Sequence, residues 1–454
     1  VTSTSTTASS PLDARQRLLA VALVLGVTLV AFETTAVITA LPTITDELGG
    51  DSLYGVALAA YTLANLVALV AVGMLADRRG PLLPYLSSIG VFVTGLVVAG
   101  TADSMVVVTL GRTLQGAGTG GLAPIAYILV TRAFPDERRP TMYAWLSAGW
   151  VLPSLFAPFL SGAIVESVSW RWVFLAIIPL AIGVATMASV PMRHFGPDPD
   201  AAATPWARLA AAFAAAAGVG ALVVGLQAAN AFGALALVVG GLVVALPALR
   251  RLMPAGTWRA ETGLPAIVAA RVLGTAAFLG VDSFVPLAAD RIHGVGAVAQ
   301  GFVIIGAALT WTLGQAYMAR HPDADPAFAV RIGFVFLFAG IVLTAPVVWS
   351  GWPLWATFPA WAVGGFGMGV LFNPTSVSSM THAAPGTEGL VSSQVSLADA
   401  VGFSVMGGVG GGIVAWADRG DASIATAIGL CFALAATAAA TGTFAARGIR
   451  RAPS

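Results

Sequence analysis

The chain has 454 residues, 57% of them hydrophobic and 9% charged, with a formal net charge of +1. An ordinary soluble domain carries roughly 25% charged residues, so a water-soluble fold is excluded and most of this surface must meet lipid. The near-zero net charge speaks against a nucleic-acid partner, and Cys431, the single cysteine, excludes an intrachain disulfide or a zinc cluster of thiolates.

A bilayer core about 30 Å thick takes about 20 apolar residues in helical form. Fourteen such stretches follow one another between polar breaks. Six lie near 18–42, 53–75, 82–101, 105–131, 141–165 and 172–192, two near 207–226 and 231–249, and six near 264–288, 298–319, 328–349, 353–380, 389–416 and 422–446. The first follows Arg15 and Arg17. At about 25 residues it is too long for a signal-peptide core and reads as a retained span. An all-α membrane protein of fourteen spans is the expectation.

All 22 basic residues are arginine. With the amino terminus in the cytoplasm, 17 of them fall in cytoplasmic loops and tails, three (Arg171, Arg291, Arg419) outside, and two (Arg112, Arg271) within spans. The positive-inside bias therefore predicts that both ends of the chain are cytoplasmic, in a cell membrane. Trp170, Trp172, Trp349, Trp352, Trp355 and Trp416 then fall at the external interface, where indole rings act as anchors.

The sequence also repeats itself. Gly116, Gly118, Gly120 and Pro124 in the fourth span match Gly365, Gly367, Gly369 and Pro374 in the twelfth, each the fourth span of a six-span block. Two parallel six-helix halves with a path between them form a transporter architecture. The expected organisation is a tail (1–17), a six-helix bundle (18–192), an accessory pair with polar linkers (193–262), a second bundle (263–446) and a tail (447–454).

The first helix contains Phe-Glu-Thr-Thr-Ala-Val-Ile-Thr-Ala-Leu-Pro at 32–42, with an acid, Glu33, in an apolar span. Residues 73–80, Gly-Met-Leu-Ala-Asp-Arg-Arg-Gly, form a short loop between spans two and three. There Gly73 lets helices approach, Asp77 can accept from backbone amides or sit at a helix amino terminus, and Gly80 permits a tight turn. Arg78 and Arg79 bias topology. This loop resembles the signature loop of the major facilitator superfamily, and the resemblance implies that fold and a cytoplasmic latch between its halves. The first-helix segment looks like the motif of the family's fourteen-span drug:proton antiporter branch, with Glu33 where that motif has Asp and Ile38 where it has Asn. Arg112, Gln115, Gly116 and Gly118 are similar to the superfamily's arginine-containing fourth-helix motif. Ala157, Pro158, Ser161 and Gly162 resemble a softened antiporter motif of the fifth helix, whose small residues favour close packing and bending.

Taking Pro42 and Met105 as external ends, a rise of about 1.5 Å per residue places Glu33 ~13 Å and Arg112 ~10 Å deep. A charge in hydrocarbon costs at least ~2.5 to 3.5 kcal/mol, so the two are expected to face the cavity and each other. Glu33 is expected to bind the coupling proton, with Arg112 keeping it ionised until cargo intervenes. The other reading is a static ion pair that fixes helix packing. Asp282, near the external end of the ninth span, reads either as a second carboxylate on the path or as a water-exposed residue at its mouth. Arg271 and Asp399 read as a structural pair within the second half, Asp399 standing where related antiporters often show a basic residue.

No histidine lies centrally in a span, and with no lysine there can be no GxxxxGK[ST] phosphate loop. The expectation is a monomeric carrier without cofactor, driven by an ion gradient, exchanging protons for a lipophilic or weakly cationic small molecule. A proton-coupled metabolite or lipid transporter is the nearest alternative. A membrane sensor or intramembrane enzyme leaves the doubled six-helix pattern unexplained.

Overall fold

In lipid every backbone N–H and C=O must find a partner within the protein, and helices achieve this segment by segment. The computed structural model describes residues 12–49, 53–197, 206–227, 231–295, 297–384, 386–420 and 422–450, and no strand occurs among them. The first half comprises α1 (Ala14–Leu48), α2 (Tyr54–Arg79), α3 (Leu82–Gly100), α4 (Met105–Thr119), α5 (Leu122–Ala133), α6 (Arg139–Ala148), α7 (Val151–Ser167), α8 (Arg171–Leu175) and α9 (Ile177–Met192). The accessory pair is α10 (Trp206–Gln227) and α11 (Ala231–Leu252). The second half follows as α12 (Leu264–Asp282), α13 (Val285–Arg291), α14 (Ala297–Arg320), α15 (Pro326–Thr344), α16 (Thr357–Thr381), α17 (Glu388–Asp418) and α18 (Ile424–Ala445). Of the expected tails and linkers, residues 1–11, 198–205 and 451–454 lie outside the described residues.

Eleven stretches of the described residues are long and apolar enough to cross a membrane, against the fourteen expected. The difference falls at three places. The stretch near 105–131 breaks at Gly120–Gly121 into α4 and α5, and that near 141–165 breaks at Gly149–Trp150 into α6 and α7. The stretch near 298–319 is α14, several of whose residues lie outside the described set.

The first helix is longer than hydropathy alone suggests. Asp13 and Gln16 form a reciprocal cap, Gln16 N donating to Asp13 Oδ1 at 2.7 Å and Asp13 N to Gln16 Oε1 at 3.1 Å, which starts α1 before the apolar run begins. At the far end α1 continues through Pro42 to Leu48. There Glu47 accepts from Arg171 Nη1 and Trp170 Nε1, both at 2.9 Å, and these bonds, that of Arg171 foremost, hold its carboxyl below the usual range. Trp170 is consequently not the expected interface anchor. It is 1% exposed, packed edge-on to Phe174 and under the Arg171 guanidinium, whereas Trp172, Trp349 and Trp355 are exposed.

The glycine repeat explains how each half is assembled. Residues two apart on a helix point to opposite sides. A Cβ on Gly116 would lie 2.7 Å from the Tyr61 carbonyl carbon and one on Gly120 2.7 Å from Ala68 Cβ, both on α2, whereas one on Gly118 would lie 2.6 Å from Phe92 Cα on α3. In the second half Gly365 and Gly369 lie against Ala307 and Trp311 on α14, and Gly367 lies against Leu337 and Gly333 on α15. In both halves the glycine helix is wedged between two neighbours at backbone contact.

The accessory helix α10 packs against α11, α2 and α17, so it lies across the seam between the halves. Elsewhere the seam is closed at the end carrying the α2–α3 turn, called here the turn end. Asn373 Nδ2 donates to Pro140 O at 2.8 Å and Ser392 Oγ to Pro124 O at 2.9 Å, while Gln394 Nε2 ties α17 to the accessory helix α11 through Leu252 O at 3.1 Å.

Candidate functional site

Glu33 on α1 and Arg112 on α4 are 0% and 2% exposed. Arg112 Nη1 donates to Glu33 Oε1 and, at 2.6 Å, to Gln115 Oε1. Its guanidinium lies over the Tyr61 ring, 4.2 Å from the centroid, which the close approach at Gly116 makes reachable. The Tyr61 hydroxyl takes a bond from Thr119 Oγ1 at 3.0 Å and shares one with Thr34 Oγ1 at 3.3 Å, while Asn65 Nδ2 donates to Thr119 Oγ1 at 3.1 Å. Glu33 Oε2, Arg112 Nε and Gln115 Nε2 have no hydrogen-bond partner among the described residues. Buried polar atoms are normally satisfied, so the unpartnered oxygen leaves Glu33 free to take one more hydrogen-bond partner. A proton can join Oε2 while Arg112 remains supported by Gln115 and the Tyr61 ring.

A second pair stands in the other half. Arg271 on α12 grips Asp399 on α17 at two points, through Nε to Oδ1 at 2.9 Å and through Nη2 to Oδ2, and Thr275 Oγ1 adds a bond to Oδ1 at 3.0 Å. Arg271 Nη1 donates to Ser376 Oγ at 2.7 Å, and Nη2 reaches the hydroxyl of Tyr127 on α5, in the first half, at 3.5 Å. This pair therefore does more than join helices within one half, as the sequence suggested, because it also touches the other. Asp282 is partly buried at the end of α12, accepting from Trp361 Nε1 at 2.8 Å. Trp361 stacks on Phe278, whose ring meets Trp311, which in turn contacts Phe372 beneath Arg271. Asp282 and Glu33 thus sit in separate environments, with no bond linking them.

At the turn end, Asp77 accepts from Gly389 N at 2.7 Å and Leu390 N at 3.1 Å, the first-turn amides of α17. A helix amino terminus favours an anion there. A Cβ on Gly73 would lie 2.7 Å from Gly389 O and 2.9 Å from Ser393 Cβ, so a side chain would force α2 and α17 apart. Residues 73–79 are not the expected loop but the last turns of α2, which Gly80 ends with φ +75°, a backbone angle that glycine adopts freely, and Arg78 and Arg79 point outward. Arg132 adds contacts to Asp77 at 3.9 Å and Glu388 at 3.4 Å. Sequence reasoning overlooked Arg132, Glu388, Tyr61, Tyr127 and Ser376, since each matters only through a partner far away in the chain.

In the fifth-helix motif, Ala157 and Ser161 are fully buried, and Ser161 Oγ donates to Ala36 O on α1 at 2.7 Å. Gly162 differs from expectation: a Cβ there would meet nothing within 4 Å, so it makes no close helix contact. Pro158 lies within α7, and its side chain is outside the described residues.

Two helical halves meeting along a seam, with buried ion pairs beside it, have the architecture of a membrane carrier. A sequence profile of the Major Facilitator Superfamily matches residues 23–407, and the chain belongs to that family of membrane-spanning transporters, carriers and not enzymes. It is 35% identical over 187 residues to an uncharacterized MFS-type transporter of Mycobacterium tuberculosis (strain ATCC 25618 / H37Rv), covering 41% of this chain and 27% of that one. The efflux pump FUS6 of Gibberella moniliformis is 35% identical over 181 residues (40% and 32%), and the MFS-type efflux pump LUC4 of a Fusarium species 34% over 178 (39% and 31%). The matches span about a third or less of these relatives' lengths. Among solved structures, the human organic anion transporter MFSD10 (TETRAN) superposes with a TM-score of 0.73 at 15% identity, over 95% of this chain and 99% of that one, which shows a shared fold.

Proposed function

We propose that this transporter exports drugs or amphipathic compounds in exchange for protons by alternating access, as a monomer in the cell membrane with the turn end in the cytoplasm. The observation that carries the reading is the buried Glu33 with one oxygen on Arg112 and the other unpartnered. An intramembrane acid of this kind is costly unless it serves an ion path. Two of the relatives named above are efflux pumps, which supports the outward direction. With the halves joined at the turn end through Asp77, Asn373 and Ser392, the path is closed toward the cytoplasm, and Glu33 awaits exchange from the other side.

Glu33→Gln tests this. In proteoliposomes the variant should lose pH-gradient-driven transport by about tenfold or more, as expected where an intramembrane carboxyl carries the proton. It should still exchange cargo down the cargo's own gradient. Full gradient-driven transport by the variant would overturn the coupling role.

A further inference from the structure

The two buried ion pairs share a design. In the first half, Arg112 lies over an aromatic ring, holds a carboxylate, and is bonded to a neutral oxygen, Gln115 Oε1. In the second, Arg271 lies 3.5 Å from the Phe372 ring centroid, holds Asp399, and is bonded to the neutral oxygens of Ser376 and Tyr127. Removing the charge of a carboxylate from a buried pair ordinarily strands the cation at great cost. In both places the ring face and the neutral acceptors would keep the guanidinium in position without its carboxylate. These supports also satisfy guanidinium donors that the carboxylate leaves over, so the arginine keeps partners in either charge state of the acid.

Location adds an independent argument. Arg271 is 1% exposed but the Asp399 side chain is 29% exposed, so the carboxylate of this pair is open on one side whereas Glu33 is sealed. The Tyr127 hydroxyl comes from the opposite half and bonds both Arg271 and Ser376, the latter at 3.1 Å. Separation of the halves at the turn end would withdraw Tyr127 and change which side of the membrane reaches the pair.

The ionisable groups facing Asp399 are few. Arg271 comes from α12, Tyr127 from α5 and Tyr143, whose ring lies 5.1 Å from that of Tyr127, from α6. On α16 the neighbour is the hydroxyl of Ser376. Arg208 of α10 is bonded to Leu252 O, Asp77 of α2 to the first turn of α17, and Cys431 of α18 faces Gly410 O.

We propose that Asp399 is a second proton-binding carboxylate, so that the transporter has two coupling centres, one in each half. The step forms one O–H bond on the Asp399 carboxyl, with the proton drawn from water on one side of the membrane and returned to water on the other. Arg271 keeps its protons and its charge, resting on Ser376, Tyr127 and the Phe372 ring. This inference rests on the proton-exchange reading of the previous section, but its test separates the two.

The test is the proton-to-cargo ratio of the full chain in proteoliposomes, read from the pH gradient that just balances a known gradient of a fluorescent lipophilic cation. The parent should give a ratio of about two and Asp399→Asn about one, the ratio left by a single intramembrane carboxyl at Glu33. Asp399→Glu should restore the parental ratio, which a merely structural role would not predict. A parental ratio of about one overturns the proposal whether or not any variant folds. An Asp399→Asn ratio equal to a parental two also overturns it and leaves Glu33 in place, whereas a parent with no proton coupling overturns both readings.

Discussion

Tyr61 shows how one side chain can organise a buried charge. Its ring faces Arg112 and its hydroxyl ties Thr34 on α1 to Thr119 on α4. The two functions can be separated by mutation. Tyr61→Phe removes two hydrogen bonds, worth about 0.5 to 1.5 kcal/mol each, but keeps the ring under the cation. Tyr61→Leu removes the ring as well, with a further loss of about 0.5 to 2 kcal/mol. The expected outcome is transport about tenfold lower for the second than for the first, since each 1.4 kcal/mol is about a factor of ten. Equal transport by the two variants would show that the ring does not hold Arg112. At this scale the sequence was partly legible. Glu33 and Arg112 stood out because a charge in an apolar run demands a partner at matching depth. Tyr61, Tyr127 and Ser376 did not, since a tyrosine or serine in a span is unremarkable until folding sets it beside an arginine.

Among the helices, glycines in similar-looking motifs have opposite roles. Gly118 is in backbone contact with Phe92, whereas Gly162 faces open space. Forcing a methyl group into a packed contact costs about 1 to 3 kcal/mol. Replacing a helical glycine by alanine where there is room gains about 0.5 to 1 kcal/mol. Gly118→Ala should therefore lower the melting temperature of the detergent-solubilised protein and Gly162→Ala should hold or raise it. A fall of equal size in both would contradict the packing described. The repeated glycines were legible as a repeat, and the alternation of their contacts between two neighbouring helices follows from helical geometry. The breaks at Gly120–Gly121 and Gly149–Trp150 were not, because hydropathy averages over them and registers a continuous apolar stretch. Hydropathy also placed the end of α1 at Pro42, where polar residues begin, although the bonds of Glu47 to Arg171 and Trp170 carry the helix further.

For the whole molecule, the doubled pattern in the sequence corresponds to two halves joined along a seam, with α10 lying across it. The signature segment was legible by its residues, but not as a loop, since Gly73 to Arg79 complete α2 and only Gly80 and Pro81 form the turn. Its partner, the first turn of α17, lies more than three hundred residues away, and no local pattern marks Gly389 and Leu390 as recipients of Asp77. The same distance in sequence hid the link from Tyr127 to Arg271, which made the second ion pair read as belonging to one half. In the proposed mechanism, movement of cargo across this seam is tied to movement of protons through buried carboxylates. The most direct measurement is proton flux from proteoliposomes holding the purified chain and a pH-sensitive dye, on addition of an amphipathic cargo. Cargo-dependent proton movement is expected, reversing when the cargo gradient is reversed and falling by about tenfold or more in Glu33→Gln. Cargo transport with no accompanying proton movement would contradict it.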